Sequence, residues 1–218
     1  MRSIIFLFIV WVPLALIGQE NLKNTEQLSR TGLKIEYGPN LGTTHIDTLG
    51  VKNFYVHITA TITNVDTIPI HLQLALAKEY DFPAFCGDDK YKVFLLPEEL
   101  TPDSLTVYNN IVNGQHDFLN NPFGKPSSIN KILKPNDFCV ATIGVLIPKP
   151  SNCAAVPRAV FSFDEKEIYR ACDNQTNELI STDSNLSIGL KLEYYNQRKF
   201  IAPADACAII PFGQFSNP

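Results

Sequence analysis

The chain has 218 residues, enough for one large domain or two small ones. A hydrophobic content of 45% and a charged content of 18% exclude a collagen, a low-complexity disordered chain and a multispan membrane protein. The formal net charge of -4 leaves no basic surplus to displace counterions, so nucleic acid is not an expected partner.

The chain starts with Arg2 and an apolar run from Ile4 to Ile17, broken only by Pro13 and followed by Gly18 and a polar stretch. That is the layout of a secretory signal peptide over residues 1–18, with Gly18 at the cut. An uncleaved anchor is the alternative, but a membrane span needs about 20 apolar residues and this run is shorter. No later stretch is apolar enough to span a bilayer, so the mature chain is expected to carry no membrane span. Residues 19–31 read as a polar linker and 32–218 as one domain, in a secreted or periplasmic protein. The lone Trp11 and Met1 both fall in the leader.

All five cysteines, Cys86, Cys139, Cys153, Cys172 and Cys207, lie beyond it, where an oxidising compartment favours disulfides. None is spaced Cys-x-x-Cys, so zinc and thioredoxin-type sites have no support. Cys153 and Cys172 flank one short segment and are the expected bridge, worth about 3 kcal/mol on the chain-entropy model. The count is odd, so at least one thiol is left over within the chain; Cys139, inside an apolar strand pattern, is the expected buried free thiol.

The rest of the chain reads mostly as strands. Leu33, Ile35 and Tyr37 alternate with Lys34 and Glu36 before the turn Gly38-Pro39-Asn40. Phe54, Val56, Ile58, Ala60 and Ile62 alternate with Tyr55, His57, Thr59, Thr61 and Thr63, giving one apolar and one polar face. After the break 64–67, Ile68, Ile70, Leu72, Leu74 and Leu76 supply a second apolar face, and Pro69 suits an edge or the first residue of a strand. The two strands either form a hairpin or cross between two sheets whose apolar faces meet.

The crossing layout resembles bacterial immunoglobulin-like domains, in which a strand ending in Thr-Asn, here Thr63-Asn64, is followed by a turn and an apolar strand. Leu133-Lys134-Pro135-Asn136-Asp137, before a strand from Phe138 to Ile147, is similar to the Leu-x-Pro-Gly turn of those domains. Asn136 replaces the glycine and tolerates a positive φ. The stretch Lys92-Val93-Phe94-Leu95-Leu96-Pro97 also resembles secreted bacterial proteins of unknown activity. These turn-level likenesses cover about residues 50 to 147 and imply an immunoglobulin-like β-sandwich, with no activity attached.

Residues 97–120 read as a helical excursion against that sandwich, with Asp103 as a cap and Leu105, Tyr108, Ile111, Val112, Phe118 and Leu119 near helical spacing. Residues 120–128 form a loop, strands are expected at 159–163 and 186–194, and 173–185 is loop-like. The expected fold is therefore mainly β, with a short helical insertion and a C-terminal strand extension. Gly32 to Tyr37 repeats Gly189 to Tyr194 at five of six positions. Coincidence between half-buried strands explains this, the alternative being equivalent work at neighbouring sheet positions.

Gly-x-Ser-x-Gly, His-Glu-x-x-His and Gly-x4-Gly-Lys-Ser/Thr are all absent from the sequence, and no catalytic residue, metal ligand or cofactor is assigned. His57 and His71 read as exposed strand histidines; they would approach as a metal pair only if their strands paired. Asp88-Asp89 and Glu98-Glu99 read as solvated charges, and 173–178 as a loop without calcium spacing. Tyr194, Tyr195 and Phe200 are the aromatic residues available for a sugar platform, against the simpler reading that they pack in the fold. Asp47-Thr48-Leu49, Asp66-Thr67-Ile68 and Asp103-Ser104-Leu105 resemble an O-glycosylation signal of some Gram-negative secreted proteins, which makes Thr48, Thr67 and Ser104 candidate acceptors; turn chemistry favours the same pairs. The expected function is a secreted or periplasmic, non-catalytic binding or structural protein acting on an extracytoplasmic protein or glycan. The alternatives are a secreted hydrolase with a site assembled only in three dimensions, and an envelope-assembly or inhibitor subunit that adds a strand to a partner.

Overall fold

A computed structural model of the protein describes residues 32–101, 114–162, 188–196 and 207–217. The expected signal peptide and linker, Asp103, Ser104, Cys172 and Phe200 lie outside them. The described chain is mainly β: two antiparallel sheets, two short 3-10 turns and one short α-helix. The first sheet holds β1 (Leu33–Tyr37), β2 (Leu41–Ile46), β3 (Lys52–Asn64), β5 (Ala77–Asp81), β6 (Lys90–Leu95) and β8 (Phe138–Pro148). The second holds β4 (Ile70–Ala75), β7 (Ser128–Leu133), β9 (Cys153–Ser162), β10 (Ile188–Asn196) and β11 (Cys207–Ser216). Their orders are β1-β3-β8-β6-β5, with β2 also on β3, and β7-β4-β11-β10-β9.

Strand β3 organises the first sheet. Its early residues pair with β2, its late residues with β1, and its other edge with β8 along nearly its whole length. The hairpin alternative is excluded, because β3 and β4 belong to different sheets and their apolar faces meet in the core. There Ile58 and Ile62 join Leu72 and Leu74 from β4, Ile143 and Val145 from β8, and Leu190 and Leu192 from β10. Each fully buried aliphatic side chain contributes about 1.5–3 kcal/mol.

Asn64 ends β3 at the corner where the chain leaves the first sheet. It is wholly buried, and every polar group it carries is bonded. Its amide Nδ2 donates to the Ile68 carbonyl at 2.8 Å and the Leu133 carbonyl at 2.9 Å, while Oδ1 accepts from Asp66 N at 2.8 Å. Its backbone N–H donates to Asp137 O, and its carbonyl accepts from Asn136 N, both at 2.9 Å. One side chain thus joins the β3–β4 crossing to the β7–β8 crossing, where the chain returns. In that second turn Asn136 takes φ 66°, the left-handed geometry that a glycine would take most easily.

The middle of the first sheet, in β3, β6 and β8, is buried on both sides. Helix α1 (Gln115–Asn120) lies on its outer face, with Leu119 and Phe118 against Tyr55, Phe94 and Leu146. Gly144 of β8 sits under this cluster, where a Cβ would come within 2.5 Å of the Phe94 ring and 2.8 Å of the Tyr55 ring. The expected helical excursion is thus present as a 3-10 turn, Glu98–Leu100, and as α1, while residues 102–113 lie outside the described residues.

Pro69 immediately precedes the first residue of β4, so it stands at a strand start and not at an edge, β4 being flanked by β7 and β11. The C-terminal strand is no extension, since β11 lies between β4 and β10. The repeated hexapeptide occupies different sheets, β1 bordering the first and β10 interior to the second, which removes the alternative of neighbouring sheet positions. The expected strand at 159–163 begins earlier, at Cys153, because β9 runs across β8, β3 and β1 of the facing sheet and is buried by them.

The expected Cys153–Cys172 bridge is also corrected. Cys153, at the start of β9, is bonded to Cys86 in the turn Ala84–Cys86 between β5 and β6. Proximity in space, not in sequence, set the partner: Asp89, two residues beyond Gly87, accepts from Ser151 Oγ at 2.9 Å and from Asn152 N at 3.3 Å, holding the start of β9 against the β5–β6 turn. Asp89 is therefore engaged and half-buried rather than simply solvated. Cys207 is also in a disulfide. Among the described residues no helix is long and apolar enough to cross a membrane.

Closing a loop with a sequence separation of 67 is worth about 4 kcal/mol on the chain-entropy model. Urea unfolding of Cys86→Ser/Cys153→Ser should show a loss of that order, and an unchanged midpoint would refute it. Asn64→Ala leaves two carbonyls and one amide N–H without their partner and should cost about 3 kcal/mol in the same assay. A cost below about 0.5 kcal/mol would show that the corner does not rely on that amide.

Candidate functional site

The inward residues of the second sheet are apolar, so its alternate residues face out: His71 and Gln73 from β4, Gln214 from β11, and Lys191, Glu193 and Tyr195 from β10. Register places them in two groups on that face: Asn130, His71, Gln73 and Gln214 about one end of β4 and β11, and Lys191, Glu193 and Tyr195 with Arg158 of β9 farther along, where β10 pairs with the start of β11. Within each group side chains are bonded to one another. His71 Nε2 lies 2.6 Å from Asn130 Oδ1, and Gln214 Nε2 donates to Gln73 Oε1 at 2.5 Å. With the His71 N–H given to Asn130, the 3.4 Å approach of Gln73 Nε2 to the same nitrogen is a close pass between two donors rather than a bond.

In the second group, Arg158 Nε donates to Glu193 Oε2 at 2.7 Å, the Tyr195 hydroxyl donates to the same oxygen at 2.6 Å, and the Arg158 guanidinium also meets the Tyr195 hydroxyl. Lys191 Nζ stands 3.7 Å from Glu193 Oε1. Burial works against the Glu193 charge, but the Tyr195 and Arg158 hydrogen bonds and both cations hold its carboxyl below the usual carboxylate range. Burial and the bond to Glu193 push the Tyr195 hydroxyl up. Both groups present fixed donors and acceptors on one sheet face, arranged to hydrogen-bond a polar ligand.

A second polar cluster lies under α1. On the outer face of β3, His57 stacks on Tyr55, with ring centroids 5.1 Å apart. Gln115 Nε2 donates to the Tyr55 hydroxyl at 3.2 Å. His45 of β2 is 4% exposed and meets the His116 ring edge-on at 4.7 Å. Burial lowers the pKa of both His45 and His57.

The histidines and aromatics singled out in the sequence are thus dispersed. His57 and His71 stand in different sheets, and His57 is half-buried rather than exposed. Among the described residues no group of three histidine, cysteine or carboxylate side chains is arranged to hold a metal. Tyr194 is buried, its hydroxyl 2.6 Å from that of Tyr91 across the core, so it offers no platform. Tyr195 is half-buried, and Arg158 lies 5.3 Å from its ring centroid. Thr48 and Thr67 are exposed in turns, and the Thr67 hydroxyl donates to Asp66 at 3.3 Å.

The sequence reading did not single out Gln73, Gln214, Arg158, Glu193, His45 or His116. The alternation at Ile70–Leu74 and Lys191–Tyr195 marks some of them as outward-facing, but no local pattern joins residues from five strands. Comparison with protein-family models, curated proteins and solved structures finds no match to this chain.

Cys139 is a free thiol buried in β8. Burial pushes its pKa up to about 11, with Lys131 pulling down and Glu98 pushing up. Ellman's reagent at pH 8 should therefore leave the native thiol untouched and react with it on unfolding. Prompt reaction of the folded protein would contradict that placement.

Proposed function

We propose that this is an extracytoplasmic, non-catalytic binding protein of the β-sandwich type, taking a polar ligand, a glycan or a polar protein surface, on the outward face of the second sheet. The observation that carries the reading is that the outward polar side chains of this sheet, His71 with Asn130, Gln73 with Gln214, and farther along Arg158 with Glu193 and Tyr195, are held by one another before any ligand arrives. Such preorganisation cuts the ordering cost of binding. The buried Cys86–Cys153 bridge fits an oxidising compartment, in keeping with an exported chain. The Thr63-Asn64 corner and the positive φ of Asn136 favour kinship with bacterial immunoglobulin-like domains. Arg158 beside the Tyr195 ring favours recognition by hydrogen bonds over stacking on a bare aromatic face.

The test is capture from envelope and culture fractions by the wild-type protein and by Gln73→Ala/Tyr195→Ala, with melting curves alongside. The variant should lose affinity for the captured ligand tenfold or more, about 1.4 kcal/mol, while keeping its fold. Equal capture by both proteins would move the ligand to another face.

A further inference from the structure

Helix α1 has six residues, too few to be stable by itself, and no side chain caps its N-terminus at Gly114. It is held by what it touches. Leu119 and Phe118 cover Tyr55, Phe94 and Leu146; Gln115 bonds Tyr55; and His116 Nε2 meets the Ile46 carbonyl at 3.1 Å. Beneath it, His45 is nearly inaccessible, and its Nε2 has no hydrogen-bond partner; Asn120 Oδ1 of α1 is likewise buried and unbonded. A third histidine shares this face, since His57 Nδ1 is buried without a partner beside Tyr55. His45 thus meets the helix directly, and His57 joins it through Tyr55, which Gln115 of α1 bonds.

We propose that α1 is an acid-released cover, and that proton uptake by His45, aided by His57, lifts it from the first sheet. The docked arrangement suits neutral rings only. A charge on His45 is placed in a buried contact against the His116 ring, which faces it from α1. Burial and His116 work against that charge, and the Asn120 side chain of α1 and Asp47 favour it by less. From β3 it faces Asn53, its neutral register partner. Asp47, in the β2–β3 turn, favours the charged ring, but its Oδ1 is already accepting from Leu49 N at 2.9 Å and Val51 N at 2.8 Å. Asp117 of α1 is 92% exposed and stands 3.9 Å from His116 Nδ1, on the solvent side. His57 has Tyr55 as its stacking neighbour.

The sign follows from burial. His45 and His57 hold their protons less well when α1 is docked than when it is released. Docking is therefore at full strength above about pH 6.5 and weakens as pH falls below it, because the released state binds more protons. Release uncovers Tyr55, Phe94 and Leu146, an apolar surface on an otherwise intact sheet.

Hydrogen exchange of the full chain, corrected for intrinsic rates, tests this between pH 7.5 and pH 5. The peptide covering 114–123 should lose protection at least tenfold while β3 and β8 keep theirs, and His45→Phe should retain protection at pH 5. His71→Gln, on the other sheet, should behave like wild type. Unchanged protection of 114–123 at pH 5, or loss in His45→Phe at the wild-type pH, overturns the proposal. Should His45→Phe fail to fold, an NMR titration of wild-type histidines decides: release must track the charging of His45, and release while His45 is still neutral refutes it.

Discussion

The amide of Asn64 is the constraint on which both sheets depend. A sandwich needs places where the chain changes layer, and at each of them backbone groups lose their ladder partners in a region closed to water. Here two such places are adjacent, and one buried side chain serves both: two carbonyls and one N–H from two separate segments end on it, and its own backbone groups bond the 134–137 turn. No apolar residue does this, and aspartate lacks the donors. With the corner in place, β3 and β4 present their apolar faces to the same core, and β7 and β8 follow in opposite layers.

The two sheets then diverge in character. The first has both faces covered at its middle strands, so most of β8 is apolar along both sides, and part of the polar side of β3 is enclosed, with Thr59 bonded to its register partner Thr142 at 3.0 Å. The second has one face on the core and one in solvent, and its outer side chains bond to each other across strands. A side chain in such a group loses rotamer freedom when the sheet forms, so little remains to be lost on contact with a ligand.

Period-two alternation made the inner faces of β1, β3, β4 and β10 legible, because burying one face of a strand demands it. The doubly buried face was hidden: Tyr55, His57 and Thr59 look solvent-facing on a single strand, and only α1 and β8, far off in sequence, cover them. Hairpin and crossing could not be separated for β3 and β4, since both bury the same residues. Cys86 was not recognised as a partner of Cys153, because sequence distance ranks cysteine pairs by loop entropy, while the fold ranks them by where β9 crosses. The polar groups on the second sheet were hidden for the same reason, their members being brought together by strand order and register alone.

The Cys86–Cys153 connection bears on how the chain must be oxidised. Cys139 lies between the two partners in sequence, so an oxidation that joins consecutive thiols makes a non-native bond. In the fold β8 pairs with β3 and places Cys139 opposite Ile62 in the core, which withdraws the competing thiol. Strand pairing thus keeps the odd thiol from exchanging with the native link.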